Sequence, residues 1–134
     1  MKKKDVRKIV EANIDNLKAA LGLSSWRVFI DYGPALIDGD DTHYNGKCNT
    51  DPAIHETALI TLDPKQLDSE AEILEVLRHE LAHCIAASFN TCQAVLATLL
   101  TRREYRALDV LFHIAHERVV GSIQSILESK SSAG

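Results

Sequence analysis

Sulfur is scarce in this chain. Its 134 residues hold only three cysteines, Cys48, Cys84 and Cys92. An odd, sparse set with no C-x-x-C spacing excludes a disulfide framework and a paired-thiol metal knuckle. It points to reduced thiols in a cytoplasmic protein. Long apolar runs are absent as well. No stretch reaches the length needed to cross a bilayer, and the lysine-rich start has no continuous apolar segment of the kind a secretory signal needs. Positive charge is not in excess either. The formal net charge is -4 and the only basic cluster is Lys2-Lys3-Lys4, which reads as a solvated terminus and argues against a nucleic-acid surface. No internal repeat and no long linker divides the chain, so a single domain spanning residues 1–134 is expected.

What is present is ordinary globular material, 46% hydrophobic and 25% charged, enough for a real core without cross-links. Val6, Val10, Ile14, Leu17 and Leu21 recur at helical spacing, which predicts an amphipathic helix over 3–21 with Gly22 at its C-terminal end. Trp26–Ile30 and Thr57–Leu62 read as strands. The intervening stretch is rich in Asp, Gly and Pro and reads as loop, with a short strand around His43–Cys48 and an Asp38–Asp41 segment that fits no element. Asp63-Pro64 and Ser69-x-x-Glu72 are helix-start signals, the second a capping box. The helix they open should run from about 65 or 69 to about 88, with Asn90-Thr91 breaking it. Residues 92–129 then read as two helices with a bend near 101–104, followed by a short polar tail. Helix, strands, then helices predicts an α+β domain with a small sheet against the central helix.

That central helix carries Arg78-His79-Glu80-Leu81-Ala82-His83-Cys84-Ile85. In His-Glu-x-x-His the two imidazoles lie one turn apart on one face, as two ligands to one metal must, and the glutamate sits beside them. Neutral imidazole suits zinc, and a catalytic zinc keeps three protein ligands and a water. Glu80 is then the general base that takes a proton from that water and returns it to a leaving amine. Leu74, Leu77, Leu81 and Ile85 form a stripe that should face the core, while Ile73, Val76 and Ala87 flank the histidines. A chance pentapeptide on a surface helix is the competing reading, and a third ligand decides between them. The metzincin extension is missing after His83. The remaining candidates are Glu104, Asp109, His113, His116, Glu117 and Glu128. Glu117 lies mid-helix among apolar residues, where an unpaired carboxylate is costly. Coordination explains it, and so does a salt bridge, for instance to Arg118. Glu104, after Arg102-Arg103, is the rival. His113, one turn before Glu117, should face the same cleft and could donate to an oxyanion. The apolar residues of the last helix predict burial on two faces. His43, Tyr44 and His55 are further candidates to line the cleft.

The helix Val76–His83 together with the later Glu117-Arg118-Val119-Val120 resembles the small phage-type zincins, the minimal gluzincin-like metallopeptidases. The resemblance implies a minimal zincin-like fold, a small and mostly antiparallel sheet on the active-site helix plus C-terminal helices. It implies Zn2+ held by His79, His83 and Glu117, Glu80 as general base, a peptide or protein substrate, and an edge strand at about Thr57–Leu62 that pairs with an extended peptide. A regulatory, SprT-like or repressor-cleaving zincin is the neighbouring alternative. A non-catalytic adaptor with a vestigial motif is the alternative from another class. Neither a membrane nor a nucleic acid is an expected partner.

Overall fold

The computed structural model describes residues 1–36, 43–50 and 56–133, without the side chains at 88–91, 127 and 130–133. The Asp38–Asp41 segment and His55 lie outside the described residues. In chain order the elements are α1 (Lys3–Ala20), β1 (Arg27–Tyr32), β2 (Gly46–Thr50), β3 (Thr57–Leu62), a single 3₁₀ turn (Pro64–Gln66), α2 (Glu70–Ile85), α3 (Ala87–Leu99) and α4 (Arg102–Ala133).

Local chemistry sets most boundaries. α1 stops where Gly22 enters the left-handed region at φ 71°. There the Gly22 amide donates to Ala19 O and the Leu23 amide to Lys18 O, the paired bonds of a Schellman ending that favours glycine. Asp63 caps the 3₁₀ turn, its Oδ1 accepting from the Lys65 amide at 3.0 Å. Ser69 caps α2 by accepting from the Glu72 amide at 3.2 Å. The Glu72 carboxylate reaches back to the Asp68 amide at 2.8 Å rather than to Ser69. A second box, Thr101-x-x-Glu104, opens α4: each residue's side chain accepts from the other's amide at 3.2 Å.

Two boundaries differ from expectation. The helix does not break at Asn90-Thr91, which lie inside α3. It breaks at Ala86, at φ -80° and ψ 0°. Asn and Thr cost a helix only a few tenths of a kcal/mol each, roughly, whereas Ala86 is buried with Ala82 and Val120 in a small cluster that receives α4. The polar tail also differs, since α4 continues to Ala133.

The sheet has the order β1-β3-β2. β1 pairs with β3 in parallel and β2 pairs with β3 antiparallel, so the sheet is mixed rather than mostly antiparallel. β3 is the central strand, which explains its nearly continuous apolar run: Ala58, Ile60 and Leu62 point into the core. The domain is α+β with four helices and one small sheet among the described residues. α1 and α2 close the inner face of the sheet with Val6, Val10, Ile73, Leu77 and Leu81. The α2 stripe is thus rotated from the one expected. Ile73 is fully buried and Val76 nearly so, while Leu74 is half-buried and Ile85 exposed. On α4 the expected burial on two faces is absent. Val120 is buried and Val119 and Ile123 pack beside it, but Val110, Leu111 and Ile114 are exposed. Among the described residues, the helix packs on α2 and α3 along one face.

Candidate metal centre

The pattern that puts Leu77 and Leu81 into the core turns His79 and His83 toward a cleft. Its far wall is α4 and its side wall is β2. The imidazole rings meet edge to face with centroids 5.1 Å apart. Glu117 reaches both from α4: its Oε2 lies 3.9 Å from His79 Nε2 and its Oε1 lies 3.8 Å from His83 Nε2. Glu80 Oε2 lies 4.0 Å from the same His83 nitrogen. Neighbouring ligand atoms around a tetrahedral zinc sit about 3.3–3.5 Å apart, given bonds of about 2.0–2.1 Å. The separations from Glu117 and Glu80 to the imidazole nitrogens are a few tenths of an ångström wider than that. Two sets of ligand atoms come within 4.8 Å of one another, His79 with Glu80 and His83, and His83 with His116 and Glu117. They share His83. The group His79, Glu80 and His83 can therefore hold a metal ion, and Glu117 belongs to the overlapping set, offering a different oxygen to each imidazole.

Burial divides the labour among the acids. Glu80 is only 5% exposed, and that burial, with the Glu117 charge adding to it and His79 opposing, pushes its carboxyl up to about 7. Burial likewise pulls His83 down to about 4, with Glu117 opposing and the other histidines assisting. His83 is thus a neutral, electron-donating imidazole through the neutral range. The Glu117 side chain is 43% exposed, so the argument from the cost of a buried carboxylate does not apply to it. Its contacts are with the two imidazoles, and no described ion pair joins it to Arg118.

The outer nitrogens of the two imidazoles are held from α4. His83 Nδ1 lies 2.7 Å from His116 Nε2, the rings stacked at 22°. His79 Nδ1 lies 2.9 Å from Gln124 Oε1. His116 is one of the third-ligand candidates that the sequence offers, while Gln124 carries no signal of its own. Its place is legible only through spacing: His113, Glu117, Val120 and Gln124 follow one another at three or four residues, one face of a helix. His113 is exposed and lines the cleft beside His83 and Glu117. Glu104 is occupied by the α4 capping box, and its hydrogen bonds with Thr101 hold its carboxyl below the usual range. Asp109 accepts from Gln93 of α3. Glu128 accepts from Gln124. Tyr44 lines the cleft, and His43 is not among its walls.

β2 approaches α2 unusually closely at Gly46. A Cβ there would lie 2.7 Å from Val76 Cγ1 and 3.3 Å from Glu80 Cγ, so the absence of a side chain lets the strand lie against the helix at the level of Glu80. Cys48, one pleat further along β2, is hydrogen-bonded to Cys84 of α2, and that bond, with burial, pushes its thiol up. All three cysteines are free. No helix among the described residues is long and apolar enough to cross a membrane. Comparison of the chain with models of protein families, with curated proteins and with solved structures finds no match.

Proposed function

We propose that this chain is a zinc-dependent peptidase of the minimal gluzincin-like kind. The observation that carries the reading is the convergence, from two separate helices, of His79, His83 and Glu117 around the buried carboxyl of Glu80. A zinc ion bound there supplies Lewis acidity and lowers the pKa of water toward neutrality. His79 and His83 would hold it through Nε2, and Glu117, exposed enough to turn, through one carboxylate oxygen. Glu80, buried beside His83, is placed to act as the general base: it accepts a proton from the attacking water and passes it to the departing amine. His113, at the cleft wall, would donate a hydrogen bond to the carbonyl oxygen as it gains charge.

The peptide-binding strand is not the one expected. Thr57–Leu62 is β3, paired on both sides, and has no free edge to offer. β2 is one of the two outer strands of the described sheet, and the one that forms a wall of the cleft, through Gly46, Lys47, Cys48 and Asn49. An extended substrate would lie along it by backbone pairing.

Metal analysis and one variant pair test the reading. Purified protein should carry one zinc per chain, lost in His83→Ala. Glu80→Gln should keep the zinc and lose cleavage of an unfolded protein such as casein. A folded chain that takes up no zinc removes the proposal, and an active Glu80→Gln removes the role given to Glu80.

A further inference from the structure

Resting on the metal-centre reading above, we infer that Gln124, itself oriented by Glu128, is a positioning residue that presets the His79 tautomer with its Nε2 lone pair toward the cleft. The argument needs only the donor and acceptor inventory. Gln124 presents one end of its amide to His79 Nδ1 at 2.9 Å and the other to Glu128 Oε1 at 3.1 Å. A carboxylate accepts and does not donate, so the end facing Glu128 is the NH2 group. The end facing His79 is then the carbonyl oxygen, which also only accepts. The hydrogen in that contact must come from His79 Nδ1. A neutral imidazole carries a single N–H, so Nε2 is bare, and Nε2 is the nitrogen that faces Glu117 at 3.9 Å. Gln124 and Glu128 are one turn apart on α4, where side chains at that spacing meet by helix geometry. Most of the orienting device is therefore preformed on α4 before it meets α2.

The other ligand is held differently. His83 Nδ1 meets His116 Nε2, an atom able to donate or accept, so the contact leaves the proton's place open. His79 is the preset ligand and His83 the adaptable one. Partners of this kind typically contribute about 10–100-fold to metal affinity.

The test uses the full chain in two states. Long-range 15N NMR of the metal-free protein at about pH 7.5, above the ordinary imidazole pKa, should find His79 protonated at Nδ1 and bare at Nε2. Zinc affinity, measured by chelator competition, should fall about 10–100-fold in Gln124→Leu and be restored in the exchanged pair Gln124→Glu with Glu128→Gln, which keeps an acceptor facing Nδ1 and an amide donor one turn away. His79 carrying its proton on Nε2 in the wild type overturns the inference. So does an unchanged zinc affinity in Gln124→Leu, or an exchanged pair no better than Gln124→Leu. The tautomer is read without metal, so a protein that binds no zinc but shows the Nδ1–H form would sink the peptidase reading and leave the positioning role standing.

Discussion

Glu80 is held in surroundings that oppose its ionised form. Its carboxyl is raised to about 7 in the folded chain from an ordinary value near 4.5. The folded state therefore holds this proton more tightly than the unfolded state. The stability that goes with it is complete below about 4.5 and is lost as pH rises to about 7. Glu80→Gln should then stabilise the chelator-treated protein at pH 8 by roughly 2–3 kcal/mol and make no difference at pH 4, as followed by urea unfolding at the two values. Equal effects at both would mean that the shift does not reside in this carboxyl. His83 runs the other way. Its lowered value favours the fold above about 6.5 and withdraws that support as pH falls toward 4. At the same scale, the two rival carboxylates separate by what they touch. Glu117→Ala should weaken zinc binding at least tenfold by calorimetry, on the scale of about 1.4 kcal/mol or more. Glu104→Ala should leave binding unchanged and fray the start of α4. The reverse order would exclude Glu117 as the ligand.

At the scale of elements, the approach of β2 to α2 is the most exacting contact in the site. Gly46→Ala would set a methyl group 2.7 Å from Val76 Cγ1, and neither strand nor buried valine can yield cheaply. Overpacking of this kind costs about 1–3 kcal/mol, and thermal unfolding should show it. Val76→Ala, combined with Gly46→Ala, should recover part of the loss. If the double variant is worse than both singles, the clash is not the cause. The legibility of the elements follows from how local their causes are. α1, with its glycine ending, and the start of α2 at Ser69 are written in neighbouring residues and were readable. So were β3 and the Trp26–Ile30 strand, which in the structure is shifted to Arg27–Tyr32. The Thr101-x-x-Glu104 box is equally local, but the basic pair Arg102-Arg103 inside it masks the signal. The strand order was not legible, because an apolar run does not say which neighbours flank it. Nor was the break at Ala86, which answers to Val120 on another helix. The faces of α4 depart from expectation because apolar periodicity marks what can be buried, and Val110, Leu111 and Ile114 find nothing to cover them among the described residues.

On the scale of the whole molecule, the protein divides by how its parts are held. The sheet, α1 and most of α2 share one continuous core. α4 rests on α2 through Ala82, Ala86 and Val120, with Val119 and Ile123 beside them. Glu117, His116 and Gln124, which face the histidine pair, all arrive on α4. An ion bridging α2 and α4 therefore adds its binding energy to the docking. At about 100 times the dissociation constant this amounts to about 2.7 kcal/mol, so hydrogen exchange should slow by about two orders of magnitude in the part of α4 around Val120 and remain unchanged in α1. Equal protection of both helices would mean that α4 opens only when the whole fold does.

Val120, fully buried with Ala82 and Ala86, is where α4 is seated on α2. A cation held from both helices, as proposed, would be released at the rate at which that seat opens. Stripping zinc from the protein should consequently proceed at the pace of the helix, and adding more chelator should not hurry it.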